Sequence, residues 1–412
     1  MKDLYLTMYT PHISISVGDD VINLSNSDIV SISFIHNYDT ATYPIVRLRI
    51  YSDLTTIQKI CEHPNDIFVR GVLNGGIYKM NQNEDSEPTL VKAVSSINIM
   101  YNAYIETKNI PSSTFDQYED GKKKESDLNV NVKSPLELFC YNQQMIHNMK
   151  KRCNSIYKNT SIGTVLQDIL HQAGIYADID PVTNSKKYDQ ILIPNMSVIQ
   201  AVSFIDNFYG LYNKGGMIYG DLDKLHITST DVNNNTNTIP IYVESYMNNS
   251  DSPGMTRIQD NYYYNIMAPN ISIRSETDIE RVLHGPRLAT INLNDMSDVD
   301  IIHLSNLFDD IKSLPLTEAI EVPNILHKTQ NKFIGTSFVA RLDEHITKID
   351  VSGYGFDISK MTPKSRYNII FASPMRGLKI DKRYRATYVC NVLKLTSTGQ
   401  FVAQTTMNLC TN

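Results

Sequence analysis

Ser161-Ile-Gly-Thr-Val-Leu-Gln-Asp-Ile-Leu-His-Gln-Ala-Gly174 and Ser197-Val-Ile-Gln-Ala-Val-Ser-Phe-Ile-Asp-Asn-Phe-Tyr-Gly210 are two versions of one design. In the first, Ile162, Val165, Leu166, Ile169, Leu170 and Ala173 recur at the spacing that lines one face of a helix. Val198, Ala201, Val202, Ile205 and Phe208 do the same in the second. A serine stands where each helix needs an N-terminal cap, and Gly174 and Gly210 stand where a left-handed residue ends one. Packing residues fill this pair and catalytic residue types are missing from it, which points to a scaffold more than to an enzyme.

The surroundings make the pair the centre of a compact α+β unit. Tyr188-Asp-Gln-Ile-Leu-Ile-Pro194 reads as a strand between the helices. After Gly210, a hairpin signal at Gly215-Gly216 leads into Asp223-Lys-Leu-His-Ile-Thr228. The Asn-rich run 231–238 and the turn-rich run 248–254 close the unit on one side. On the other side, Pro111 to Asp127, with its Lys122-Lys-Lys124 run, reads as an exposed loop and a boundary. Ser134 to Met145 reads as a further helix.

Both flanks read as β. Ile29–Ile35, Tyr43–Tyr51 and Asp66–Leu73 alternate apolar and polar residues, with a helix at Leu54–Glu62, and Lys92 to Glu106 continues the strand pattern. Beyond Tyr262 strands return, broken from Asp298 to Leu314 by a short helical face at Leu304, Leu307, Phe308 and Ile311. Ser337–Leu342, Ile346–Ser352, Tyr367–Phe371, Tyr384–Leu395 and Gln400–Met407 follow as strands, the last two joined through Thr396-Ser-Thr-Gly399. The expected fold class is multi-domain α+β: a β-rich domain at 1–108, a central α+β domain at 109–255, and a second β-rich domain at 256–412.

A chain of 412 residues has room for two to four such domains. No stretch approaches the roughly 18 apolar residues that span a bilayer. The first ten residues lack the charged-then-apolar plan of a secretory signal, so synthesis and retention in a cytoplasm, or release by lysis, is expected. Five cysteines with no CxxC spacing fit free thiols in a reducing compartment. The net charge of −6 is uneven: residues 341–412 carry 11 Lys and Arg against 5 Asp and Glu. Such asymmetry marks a solvated strand face, an acidic partner or a nucleic acid.

Chemistry finds little support. There is no phosphate-cradling loop, and Gly353-Tyr-Gly355 reads as a strand-to-turn pair. Asp231-x-Asn233-x-Asn235 opens like a calcium loop, but Thr236 replaces the required glycine and Tyr242 the closing glutamate. The ten histidines are scattered, and His171 reads as a rim residue of its helix. No GxSxG elbow occurs, and Asp309-Asp310 and Asp343-Glu344 are ordinary acidic neighbours. No cofactor or metal is expected. The sharpest charged feature is Lys379-Ile-Asp-Lys-Arg-Tyr-Arg385, where Lys379, Lys382, Arg383 and Arg385 suit a solvent-facing turn or an acidic subunit contact ahead of a nucleic acid.

The order of these elements resembles the central baseplate hub proteins of contractile-tailed phages. The resemblance is carried by the β-rich start, Val132-Lys-Ser-Pro-Leu-Glu-Leu, Tyr157 to Gly174, Asn195 to Gly210 with its hairpin, and the closing Tyr384-Arg-Ala-Thr-Tyr-Val and Thr398-Gly-Gln-Phe-Val-Ala-Gln-Thr-Thr-Met-Asn-Leu409. It implies a virion protein, made in the host cytoplasm, that acts without catalysis. It also implies a homotrimer in which each subunit contributes two related β-barrel tube domains flanking the α+β domain. Such a ring joins a hexameric tail tube to a trimeric central spike, contacts baseplate wedge proteins, and gives DNA a passage. No appended peptidoglycan-cleaving domain is expected, and related hubs serve non-contractile tails and secretion spikes as well. The competing classes are a tail-associated peptidoglycan-processing enzyme and a nucleic-acid binder using the basic C-terminal region.

Overall fold

The computed structural model describes residues 4–38, 41–80, 87–105, 133–212, 216–221, 224–229, 238–244, 254–258, 261–267, 270–273, 287–292, 295–303, 347–371 and 378–410. The N-terminal third contributes β1 (Tyr5–Val17), β2 (Asp20–Leu24), β3 (Ile29–Asn37), β4 (Ile45–Ser52), α1 (Leu54–Glu62), β5 (Ile67–Lys79), β6 (Thr89–Tyr104), β7 (Ser134–Asn142) and α2 (Gln143–Lys150). The middle contributes β8 (Arg152–Ser161), α3 (Ile162–Ala173), β9 (Ala177–Ile179), β10 (Lys187–Ser197), α4 (Val198–Phe208), β11 (Gly216–Gly220) and β12 (Leu225–Ser229). The remainder contributes β13 (Thr238–Glu244), β14 (Gly254–Ile258), β15 (Asn261–Met267), β16 (Asn270–Ile273), β17 (Arg287–Asn292), β18 (Asp295–His303), β19 (Thr347–Tyr354), β20 (Arg366–Phe371), β21 (Leu378–Leu395) and β22 (Phe401–Cys410). The class is α+β, as the sequence pattern leads one to expect.

One hydrogen-bonded circuit organises the N-terminal part. Strands β1, β5, β6, β7, β4, β3, β21 and β22 pair in that order, and β22 pairs back onto β1 through Met8 beside Val402 and Tyr9 beside Phe401. Alternation drives closure, because every second residue of β4 (Val46, Leu48, Ile50) and of β7 (Leu136, Leu138, Cys140) points inward. A register shift in β3 between Ile29 and Ser31 lets Ile29, Ile32 and Phe34 all enter the same core. Helix α1, capped by the Asp53 carboxylate, adds Ile57 and Ile60 to that core.

A second circuit runs β14–β15–β13–β20–β21–β22–β1 and returns to β14. Its separate core includes Tyr264, Ile266, Tyr367, Ile369, Tyr384, Met407 and Leu409. The two circuits share β1, β21 and β22. Along the 18-residue β21, the early part pairs with β20 and the later part with β3. Correspondingly Phe401 and Ala403 of β22 belong to the first core, and Met407 and Leu409 to the second.

The helix pair forms a third core. The faces of α3 and α4 pack on one another, on the antiparallel β8–β10 pair and on the β11–β12–β9 sheet, where β9 lies parallel to β12. Ser161 and Ser197 accept hydrogen bonds from Thr164 and Gln200 backbone N–H, and Gly174 and Gly210 have φ of 67° and 74°.

Three expectations need correction. Residues 134–142 are strand β7, and the helix begins only at Gln143: the alternating Leu136, Leu138 and Cys140 fill the first core while β7 pairs with β4 and β6. The helical interruption read from Asp298 to Leu314 is overturned at its start, where Asp298–His303 belong to β18, and the apolar positions 304–311 lie outside the described residues, as does the strand expected at 337–342. Lys379–Arg385 are not a turn before a strand but part of β21 itself. The calcium-like run 231–236 and the acidic pairs at 309–310 and 343–344 also lie outside the described residues.

Candidate functional site at the joint of the three cores

The three cores meet around the loop between β3 and β4. Tyr43 leaves the first circuit there and buries its ring in the core of α3 and α4. Its hydroxyl accepts from Asn148 Nδ2 at 3.0 Å, and Asn148 is itself buried on α2. Next to it, the Gly220 N–H donates to the Thr42 carbonyl at 2.5 Å. A Cβ at Gly220 would lie 2.2 Å from the Tyr43 ring, so only glycine permits this approach.

A row of rings continues the joint. His36 lies 3.9 Å from Tyr38, Tyr38 meets Tyr219 edge-on at 5.5 Å, and Tyr219 stacks on His226 at 4.9 Å. The row runs from β3 to β11 and β12. His36 Nε2 sits 2.9 Å from the Ala41 carbonyl, and burial lowers its pKa to about 4, so it is a neutral donor near pH 7. Both nitrogens of His226 face carboxylates, Nδ1 at 3.2 Å from Asp178 and Nε2 at 2.6 Å from Asp221. Each carboxylate needs a ring N–H, so both contacts are hydrogen bonds only when the ring is protonated. Lys364, just before β20, donates to Asp178 at 2.8 Å and lies 3.7 Å from Asp180. Its hydrogen bond holds the Asp178 carboxyl below its ordinary range, and ties the helical module to the second circuit.

The segment from Gly355 to Met361 seals the seam between the circuits. Thr7 N–H donates to the Gly355 carbonyl at 3.0 Å, and Gly355 N–H to Ala403 at 2.9 Å. Gly355 takes a φ of 70° against Leu6. Tyr9 of β1 donates to Asp357 at 3.3 Å and accepts from the Ile358 N–H at 2.9 Å, and Tyr264 of β15 accepts from the Asp357 N–H at 3.4 Å. Burial, then the Asp357 charge, pushes the Tyr9 pKa well above its ordinary value. A cavity of about 220 Å³ remains here, lined in part by Phe34, His36, Ile97, Ile358 and Asn391.

Among the described residues no group of three or more His, Cys, Asp or Glu is placed to hold a metal ion. Nor is any described helix long and apolar enough to cross a membrane. The basic residues selected from the sequence lie on one strand: Lys379 registers with Ile370, Arg383 with Asn368 and Arg385 with Cys410. Arg385 is half-buried between the inward Tyr384 and Ala386, and the side chains of Lys379, Lys382 and Arg383 lie outside the described residues. The joint residues escape sequence reasoning, since Tyr38, Tyr43, Gly220 and His226 stand in four unremarkable places along the chain. The Tyr-Pro at 43–44, just ahead of β4, is the one local signal.

A family of phage proteins accounts for nearly the whole chain, its model matching residues 8–409. That family is the Bacteriophage PBS1 gene 109 protein family, and this chain belongs to it. Curated proteins give no match. Among solved structures the chain is similar to a tail protein from Neisseria meningitidis MC58, at 11% identity and a TM-score of 0.46, over 98% of this chain and 97% of that one. It is similar to the 43 kDa tail protein of prophage MuSo2 from Shewanella oneidensis, at 9% identity and a TM-score of 0.44, over 96% of each chain. A third likeness, at 6% identity and a TM-score of 0.41 over 93% of this chain and 74% of that one, is to the E. coli c3393 protein, a component of the type VI secretion system.

Proposed function

We propose that this chain is the structural hub of a phage tail baseplate, acting as a homotrimer that joins a hexameric tail tube to a trimeric central spike. The observation that carries this reading is the pair of β circuits sharing β1, β21 and β22. One chain thereby holds two ring-forming bodies in fixed relation, and three chains present six such bodies to a sixfold tube and three faces to a threefold spike. In this reading 1–108 and 256–412 supply the two tube domains, with β7 and the β21–β22 hairpin crossing between segments. The helical module in 109–255 is the outer domain that meets baseplate wedge proteins. The protein resides in the virion, catalyses nothing, and lets DNA pass through the ring without holding it. Lys379, Lys382, Arg383 and Arg385 are the contact for an acidic partner.

Light scattering on the purified full chain tests the reading. The expected mass is three times that of one chain, with rings visible by negative-stain microscopy. A protein that stays monomeric at the highest soluble concentration sinks it. Neutralising Lys382, Arg383 and Arg385 weakens spike or wedge binding if the basic strand is the acidic-partner contact, and leaves it unchanged if it is not.

A further inference from the structure

The outer wall of the first circuit has the composition of a protein interface. Along β4 the outward residues are Ile45, Arg47, Arg49 and Tyr51, all exposed. Pairing places Arg47 beside Phe139, and Phe139 beside Tyr104. The Arg47 guanidinium lies over the Phe139 ring at 5.1 Å, Arg70 lies over Phe68 at 5.9 Å, and Tyr104 meets Tyr141 edge-on at 5.8 Å. Met100, 54% exposed, stands between these groups, registered with Arg70. The outward positions of β4, of β7 from Pro135 to Tyr141, and of β6 from Asn98 to Tyr104 include no lysine or aspartate, and Glu137 is their only acid. Enrichment in Tyr, Phe, Met and Arg with depletion of Lys and Asp distinguishes the buried centre of interfaces from ordinary surface.

We propose that this wall is the contact between neighbouring copies of this chain, and that it docks on the acidic rim at the end of the same circuit in the next copy. The rim is formed where the β1–β2 turn meets the end of α1. Gly18 N–H donates to the Asp66 carbonyl at 3.2 Å, which joins the turn that carries exposed Asp19, Asp20 and Val21, the last 64% exposed, to the stretch that carries exposed Glu62 and Asp66. Lys59 answers part of this charge, through its 2.5 Å contact with Asp20 and its attraction to Glu62. An arginine and aromatic wall and a carboxylate rim with an exposed valine are complementary and differ from one another. Such a contact is head-to-tail, the kind that closes into a ring. A nucleic acid fits less well, because the exposed apolar Met100 and Ile45 offer a phosphate backbone nothing.

The inference rests on the hub reading and names its interface, and charge reversal in the full chain separates the two. Arg47→Glu with Arg49→Glu is expected to raise the half-assembly concentration in sedimentation velocity by at least roughly tenfold, as is Asp19→Arg with Glu62→Arg. All four substitutions in one chain are expected to restore assembly, a result that loss of folding cannot mimic. Circular dichroism and an unchanged melting temperature verify the surface variants. An Arg47→Glu and Arg49→Glu protein that assembles like the native one overturns the interface while leaving the hub standing. The same holds if the combined chain fails to recover, or if the arginine pair changes only oligonucleotide binding. A native chain that never assembles overturns both.

Discussion

The helical module and the first β circuit are held together by opposite kinds of contact. In the module, α3, α4 and the β8–β10 pair come from one continuous stretch, and its core draws almost wholly on residues between Met145 and Ile227. The circuit closes only when Asn37 finds Tyr388 and Tyr9 finds Phe401 across nearly the length of the chain. A local core can form and re-form by itself, whereas a circuit closed by its last hairpin is an all-or-none object. Under the proposed hub reading the difference has a use: the ring wall is cooperative, and the helical module keeps its own stability.

Phe401→Ala should expose that difference most strongly. Phe401 is fully buried at the closing seam, and truncating such a side chain costs about 3–5 kcal/mol. Hydrogen exchange should show protection collapsing together in β1, β3, β5 and β22 while amides of 152–229 stay protected. Leu166→Ala, at about 2–5 kcal/mol, should give the reverse pattern. Equal loss in both regions under either substitution breaks the comparison.

The same contrast explains what could be read from the chain. The faces of α3 and α4, their serine caps and both glycine stops were legible because every signal lies within one helix of its target. Strand β7 was not, because Ser134 to Met145 is apolar enough for either structure and its partners, β4 and β6, decide the matter from a distance. The start of β21 was hidden under the charges of Lys379–Arg385, which obscure the period-2 pattern that Tyr384 and Ala386 begin. The joint was illegible for the same reason, since nothing near Gly220 announces the Tyr43 ring.

Acid should load the joint next. His36 has a folded pKa of about 4 against an ordinary 6.5, so the unfolded chain binds the extra proton between those values. Its contribution is complete above pH 6.5 and is lost as pH falls toward 4, a loss of roughly 3 kcal/mol. The carboxyls held low by partners, Asp20, Asp28 and Asp178, titrate below that window and do not mask it. Urea midpoints measured from pH 7 to pH 4 should therefore fall in the native chain and fall less in His36→Gln. Gly220→Ala acts on the same joint by sterics alone. Its Cβ displaces the Tyr43 ring at a cost of about 1–3 kcal/mol that should not change with pH, with faster proteolysis between β3 and β4.

The smallest effect isolates the module. The Ser197 hydroxyl accepts from the Gln200 N–H while the Gln200 side chain returns to the Ser197 N–H at 3.1 Å, so two otherwise unpaired donors at the start of α4 are satisfied reciprocally. Ser197→Ala removes one of these bonds without disturbing the buried Val198, Ala201, Val202 and Ile205, and should cost about 1 kcal/mol. Because the module's core is local, this loss should appear as faster exchange in α3 and α4 with β1 and β22 unchanged. If the ring strands loosen as well, the module and the circuit are one cooperative unit, and the ring row from His36 to His226 couples them more tightly than their separate cores imply.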